Sequence, residues 1–151
     1  MIASIRDARP DEAVALEALQ RRSSDGWEDD RALLAAHPDA IEPPHRAIAE
    51  GRVRVAVDAN GRLLGFSVVL PVSGGRCELD DLFVEPDWMR RGVGRLLVED
   101  LAARAAASGA SHVDVIANSN ALGFYSRLGF EVTGEASTRF GSAPRMTLAL
   151  G

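Results

Sequence analysis

A short glycine-rich turn with three arginines is the segment whose residue types most directly suggest a ligand. Residues 90–95 read Arg-Arg-Gly-Val-Gly-Arg, and an apolar pattern at helical spacing begins at Val93. Gly92 and Gly94 leave room for a ligand close to the backbone. A helix that begins here directs its unpaired N–H groups and its positive dipole end at the same place. We therefore predict an anion site suited to a pyrophosphate, with a solvated arginine turn as the alternative.

Two common phosphate-binding motifs do not fit this turn. A P-loop needs a lysine, and all seventeen basic residues of the chain are arginines. The dinucleotide fingerprint needs a third glycine, and Leu97 occupies that position. The turn therefore matches neither of these two phosphate-binding motifs.

A second candidate segment, residues 118–130, carries the only tyrosine of the chain. Asn118 or Ser119 is placed to cap a short helix, and the phenylalanines of the segment are predicted core residues. Tyr125 differs from them because its O–H group needs a hydrogen-bond partner when the ring is buried. It is therefore a candidate for chemistry.

The elements that position these segments predict an α+β fold with a mixed sheet. Strands are predicted at residues 2–8, 53–57, 63–70, 77–84, 112–117, 130–137 and 144–150. Helices are predicted at residues 10–22, 31–36, 46–50, 93–107 and 121–128, with a polar, acidic loop at 23–30. Asn60-Gly61 is a strong hairpin signal. The strand–helix–strand order of residues 77–117 predicts a parallel crossover.

Two spaced motifs connect this pattern with a known family. Residues 82–86 read Leu-Phe-Val-Glu-Pro ahead of the arginine turn. A later pattern, Asn-x-x-Ala-x-x-x-Tyr-x-x-x-Gly-Phe, is met by Asn118, Ala121, Tyr125, Gly129 and Phe130. Together these motifs resemble the GNAT superfamily of N-acetyltransferases. Met89 departs from the family pattern, which usually has Gln or Arg there.

The resemblance covers nearly the whole chain and implies one domain over residues 1–151. It implies an α/β/α sandwich-like fold with a mixed, mostly antiparallel sheet of about six or seven strands, including a splayed parallel pair, and about four helices. A homodimer is also compatible with the family.

The resemblance implies acetyl-CoA as the acyl donor, with no metal and no covalent enzyme intermediate. It further implies that the backbone of residues 82–84 pairs with the pantetheine arm and that a main-chain N–H there polarises the thioester carbonyl. The residues expected to bind the cofactor are Leu82, Phe83, Val84, Arg90, Arg91, Gly92, Val93, Gly94, Arg95, Asn118 and Tyr125.

Two proton transfers follow from the implied reaction. Tyr125 matches the family position of the acid that protonates the leaving thiolate, and its alternative role is to orient the sulfur. Glu78 lies fourteen residues before Gly92, where some family members have a catalytic glutamate that deprotonates the amine, often through water. Asp80 and Asp81 are the next candidates. Alternatively, these acids are solvated or attract a cationic substrate.

The first helical connection lines the acceptor pocket in this family, and here it contains Trp27 among four acids at residues 25–30. With Asp80 and Asp81, an acidic and aromatic pocket would suit the cationic primary amine of a small molecule or peptide. The alternative is a solvated loop with one buried indole.

Composition limits the remaining functions. The 151 residues are 46% hydrophobic and 26% charged, with a net charge of -5, which disfavours a broad nucleic-acid surface. The single cysteine, Cys77, excludes an intramolecular disulfide and fits a reducing, cytoplasmic compartment. The charges early in the chain disfavour a signal peptide, and the longest apolar run, residues 63–72, is too short to span a membrane. Two rival functions stay open: a catalytically silent acetyl-CoA sensor, and an anion- or nucleotide-binding regulatory domain.

Overall fold

The computed structural model describes residues 2–25, 28–118 and 120–151. Within these residues the chain forms one seven-stranded sheet and five α-helices. The strands are β1 (Ile2–Asp7), β2 (Val53–Asp58), β3 (Leu63–Val69), β4 (Arg76–Val84), β5 (His112–Ile116), β6 (Glu131–Thr138) and β7 (Gly141–Ala149). The helices are α1 (Ala13–Asp25), α2 (Glu28–Ala36), α3 (His45–Ala49), α4 (Val93–Ala107) and α5 (Leu122–Arg127).

The sheet has the strand order β1-β2-β3-β4-β5-β7-β6. The pairs β1–β2, β2–β3, β5–β7 and β6–β7 are antiparallel, whereas β4 and β5 are parallel and connected through α4. The parallel register runs from Arg76–His112 to Leu79–Val115, and β4 then continues to Val84. The predicted α+β fold with a mixed sheet is confirmed.

The β2–β3 hairpin shows how local chemistry directs the chain. Gly61 adopts a φ of +81°, which favours glycine. The Asp58 carboxylate accepts hydrogen bonds from the N–H groups of Asn60 and Arg62, both at 2.9 Å. These two bonds lower the pKa of Asp58, and the bond from Arg62 has the larger effect. The turn predicted from Asn60-Gly61 therefore forms with its backbone donors satisfied.

The described chain divides into two compact units, residues 1–68 with 81–98 and residues 69–80 with 99–151. The prediction of a single domain stays a prediction. In the first unit, one apolar cluster joins α1 and α3 to β2 and β3, with Leu16, Val55 and Phe66 among its buried members. A second cluster joins the start of α4 to the sheet through Ala56, Leu64, Val93 and Leu97. In the second unit, the buried strand residues include Cys77, Leu79, Val113, Val115 and Met146.

Two local predictions are wrong. Residues 23–25 and 28–30 belong to α1 and α2 rather than to a loop, and Ser23 and Ser24 are buried. Their tertiary environment overrides the polar pattern. The N-cap residue of α5 is Ala121, without a side-chain cap bond, so Asn118 does not cap this helix. Ser119 and Trp27 lie outside the described residues.

A partly buried ion pair in the first unit gives a stability prediction. The Glu85 carboxylate, 8% exposed, accepts two hydrogen bonds of 2.8 Å from Arg22 on α1. The Arg22 hydrogen bond holds the pKa of Glu85 below its ordinary range. We expect Arg22→Met to lower the free energy of unfolding by about 1–2 kcal/mol at pH 7, less than for a fully buried pair because Arg22 is half exposed.

The pH dependence of that loss has a defined sign. Because the folded-state pKa of Glu85 is lowered, the pair stabilises the fold above the unfolded-state pKa of about 4.3 and stops doing so as the pH falls through the folded-state value. Urea unfolding at pH 7 and pH 3.5 measures the free energy of unfolding of Arg22→Met and of wild type. The difference between the two proteins should be smaller at pH 3.5 than at pH 7. Arg46→Met, at an exposed pair with Glu50, is the control and should change little. A difference independent of pH would argue against this role for the pair.

Candidate active site

The turn between β4 and α4 has the backbone geometry expected of an anion site. Gly92 adopts a φ of +86° and Arg90, a non-glycine residue, a φ of +63°. The N–H of Leu96 donates to the Gly92 carbonyl at 3.1 Å, so the preceding N–H groups of the first helical turn have no acceptor within the helix. A Cβ added at Gly92 would meet no atom within 4 Å. The turn therefore leaves open space beside the positive end of the α4 dipole.

The arginines of this turn are exposed. The guanidinium of Arg91 lies over the Trp88 ring, 5.2 Å from its centroid, which restrains that side chain beside the turn. Arg90 and Arg95 are also exposed. The combination of helix-end N–H groups and guanidinium groups suits a multiply charged anion.

Apolar packing holds the turn against the end of β4. Val93, at the start of α4, is 1% exposed and belongs to the cluster that Leu82 and Val84 pack against. Phe83 packs on the other cluster of this unit, with its ring centroid 5.7 Å from that of Phe66. The structure thus brings together two predicted cofactor-binding segments, residues 82–84 and 90–95, in one unit.

Gly65 on β3 allows this close approach. A Cβ added there would lie 2.8 Å from the carbonyl oxygen of Phe83 and 3.0 Å from Cγ1 of Val93. A side chain at this position would therefore displace the end of β4 or the start of α4. No pattern in the sequence singled out this glycine, because the requirement comes from two segments that follow it in the chain.

Tyr125 is buried on α5 in the second unit. Its ring forms edge-type contacts with Phe124 and Phe130, at centroid distances of 5.0 and 5.2 Å. Its carbonyl accepts the N–H groups of Leu128 and Phe130, which ends the helix. The phenol is therefore held by packing on two sides and by a fixed backbone, as a positioned hydroxyl requires.

Glu78 forms an ion pair that the sequence did not predict. Its Oε1 accepts a hydrogen bond of 2.9 Å from Nη1 of Arg145 on β7, and both side chains are about one-third exposed. On the neighbouring strand, Asp114 is buried and accepts two hydrogen bonds from Arg76 and one from Thr147. The Arg76 hydrogen bond, above all, lowers the pKa of Asp114.

The remaining predicted site residues on β4 and after β5 differ in exposure, and Cys77 lies near them on β4. Asp80 is exposed, Asp81 is half-buried, and Asn118 is exposed. Cys77 is a buried free thiol whose pKa is raised by burial and then by the Asp114 charge, so its thiolate form is disfavoured. Among the described residues no group of three or more His, Cys, Asp or Glu side chains is arranged to hold a metal ion, and no helix is long and apolar enough to cross a membrane.

Comparison with known proteins decides the family. The family model of the acetyltransferase (GNAT) domain matches residues 49–132, more than half of the chain, including the arginine turn and Tyr125. The chain belongs to the GNAT superfamily of N-acetyltransferases. This acetyltransferase is 36% identical over 137 residues to the peptidyl-lysine N-acetyltransferase YjaB of Escherichia coli, a match that covers 90% of this chain and 87% of YjaB.

Other relatives of the acetyltransferase extend the comparison. A solution structure of apo-form YjaB from Escherichia coli gives a TM-score of 0.69 at 30% identity, covering 99% and 97% of the two chains. The streptothricin acetyltransferase of Streptomyces lavendulae is 31% identical over 154 aligned positions, covering 85% and 82%. The PaiA N-acetyltransferase of Thermoplasma acidophilum, solved with coenzyme A, shares the fold with a TM-score of 0.78 at 20% identity and 99% coverage of both chains.

A charge substitution in the turn tests the anion site. We expect Gly92→Asp to bind coenzyme A about 10-fold more weakly than Gly92→Asn, because a carboxylate there repels the pyrophosphate. Asn is the matched control, since it introduces the same strain at a φ of +86° without the charge. Isothermal titration calorimetry with coenzyme A measures the difference. Equal affinities for the two variants would contradict a pyrophosphate at this turn.

Proposed function

We propose that this acetyltransferase moves the acetyl group of acetyl-CoA to a primary amine by direct attack. The acetyl carbon forms a bond to the amine nitrogen while its bond to sulfur breaks. The ammonium form of the amine loses one proton before it attacks and a second once the new bond has formed, while the departing thiolate gains one, so the net reaction releases one proton to solvent. The chain's own residues are proposed to bind the donor, to accept the first amine proton and to protonate the thiolate.

The arginine turn is the observation that carries this proposal. Its left-handed Gly92, its helix-end N–H groups and its exposed guanidiniums supply what a pyrophosphate needs. In the same unit, Leu82 and Val84 pack with Val93, so the backbone that would run along the pantetheine arm adjoins the turn. The coenzyme A complex of the Thermoplasma relative supports acetyl-CoA as the donor.

Tyr125 is the proposed acid for the thiolate. Its buried, packed ring holds the phenol in one place, and a phenolic O–H is able to protonate a thiolate. The other role left open by the sequence is orientation of the sulfur without proton transfer. Both roles need the hydroxyl.

Glu78 is the proposed base, acting through water. Its carboxylate is partly exposed, with one oxygen bound to Arg145, so it can exchange protons with solvent and with an amine. Asp114, which pairs with Glu78 across β4 and β5, is a poorer candidate because both of its oxygens accept hydrogen bonds. Asp80 and Asp81 remain the next candidates.

The proposed acceptor is a cationic primary amine on a peptide lysine or on a small molecule. The names of two relatives cover these two kinds of acceptor: YjaB is named for peptidyl lysine and the Streptomyces enzyme for streptothricin. The acids of β4 would attract either cation. A homodimer is compatible with this proposal.

A panel assay tests the function. Release of coenzyme A from acetyl-CoA should rise with at least one amine among lysine peptides, aminoglycosides, polyamines and amino acids. Binding of acetyl-CoA without release on any of them would favour the sensor function. Thermal stabilisation by nucleotides but not by acetyl-CoA would favour the regulatory anion-binding domain.

A further inference from the structure

The polar residues of β4, β5 and β7 form two separate hydrogen-bonded sets in the second unit. The register pairs Glu78 with Asp114 across β4 and β5, and Asp114 with Thr147 across β5 and β7. One set joins Asp114 to Arg76 and Thr147 at 2.7–2.9 Å. The other consists of Glu78 and Arg145. Both sets contain one carboxylate and one arginine, so they can be compared directly.

The two carboxylates are used differently. Asp114 accepts hydrogen bonds on both oxygens and is almost fully buried, as expected of a structural anion. Glu78 accepts one bond, on Oε1, and its side chain is 30% exposed. Within the described part of the chain, Oε2 of Glu78 has no hydrogen-bond partner. Only Glu78 therefore combines a fixed position with an available oxygen.

Arg145 is well placed to fix Glu78. It lies on β7, where it pairs with Ile116 of β5 on one side and with Gly134 of β6 on the other. A strand with neighbours on both sides holds its side chains more precisely than a loop does. The guanidinium reaches Glu78 across 67 positions of sequence. The contact thus depends on the sheet register and not on a local motif.

We infer that Arg145 is a positioning residue for Glu78: its single hydrogen bond to Oε1 orients the carboxylate and leaves Oε2 for the water or amine proton. This inference rests on the proposed function, in which Glu78 is the base. A flexible glutamate would sample several rotamers, only some of which face the proton it accepts. Restricting those rotamers raises the fraction of enzyme ready to react.

The test compares kcat, KM and stability for Arg145 and Arg76 variants, with acetyl-CoA and the panel amine that is turned over fastest. We expect Arg145→Met to lower kcat about 10-fold with little change in coenzyme A affinity, and Arg145→Lys to retain kcat within about 3-fold. Arg145→Gln replaces the Met variant if the latter does not fold. Arg76→Met is the matched control: it breaks the Asp114 set and should affect unfolding more than kcat.

A double-mutant cycle separates this inference from the proposed base. Adding Arg145→Met to Glu78→Gln should lower kcat no further, because Arg145 would act only through Glu78. An additional loss of the same size in the double variant would overturn the positioning role. If Glu78→Gln lowers kcat and Arg145→Met does not, the inference fails and the base stands. If Glu78→Gln leaves kcat unchanged, both fail.

Discussion

Replacing Tyr125 by phenylalanine is expected to lower kcat about 100-fold while leaving the affinity for coenzyme A nearly unchanged. The substitution keeps the ring that packs against Phe124 and Phe130 and removes only the hydroxyl. Under the proposed mechanism, the departing thiolate then loses its proton donor. Steady-state kinetics and calorimetric titration with coenzyme A, on the same preparation, measure the two quantities.

Ser126→Ala is the control for this variant. It removes a hydroxyl from the neighbouring, exposed position of α5 and should leave kcat close to wild type. The unfolding midpoint of Tyr125→Phe should show whether the buried ring keeps its packing. If Tyr125→Phe turns over within about 3-fold of wild type, the residue serves only the core and another group protonates the thiolate.

Gly65→Ala is expected to cause the largest loss of stability, about 2–3 kcal/mol in the free energy of unfolding. The new methyl group would sit 2.8 Å from the Phe83 carbonyl oxygen and 3.0 Å from a methyl group of Val93. A backbone oxygen cannot move aside unless β4 moves with it. Because residues 82–84 and the α4 turn are the proposed donor site, coenzyme A affinity should fall as well.

Gly134→Ala is the matched control for Gly65→Ala. Gly134 also lies in a strand, β6, but an added Cβ there meets no atom within 4 Å. Its substitution should leave stability unchanged or raise it by up to about 1 kcal/mol through the unfolded state. Urea unfolding of the two variants measures the contrast. Similar stabilities would mean that β4 and α4 yield to the methyl group without cost.

The distribution of charge in the first unit is compatible with the proposed anionic donor, although the protein is acidic overall. The net charge is -5, yet exposed arginines gather at residues 90–95, beside the N–H groups of the first turn of α4. The local field of such a turn depends on nearby charges and dipoles more than on the total charge.

Much of this protein follows from short stretches of its sequence. Three elements each depend on residues that are close together in the sequence. They are the hairpin at Asn60-Gly61, the amphipathic start of α4 and the short helix that carries Tyr125. The arginine turn was predicted for the same reason, because Gly92 and the helix after it are adjacent in the chain. Predictions of this kind failed at residues 23–25 and 28–30, which are helical, and buried Ser23 and Ser24 continue a helix that the polar pattern did not indicate.

The sequence by itself determined the order of elements, the glycine and arginine turn before α4 and the family motifs, since periodicity, glycine conformation and helix ends are properties of neighbouring residues. Only the tertiary structure decided that Arg145 binds Glu78 and that Arg22 binds Glu85. It also decided that the Phe83 carbonyl oxygen lies so close to Gly65 that no side chain fits there. The two ion pairs join residues 67 and 63 positions apart. Their formation depends on strand register and helix packing, because each bond forms only where the folded backbone brings its two partners within a few ångströms.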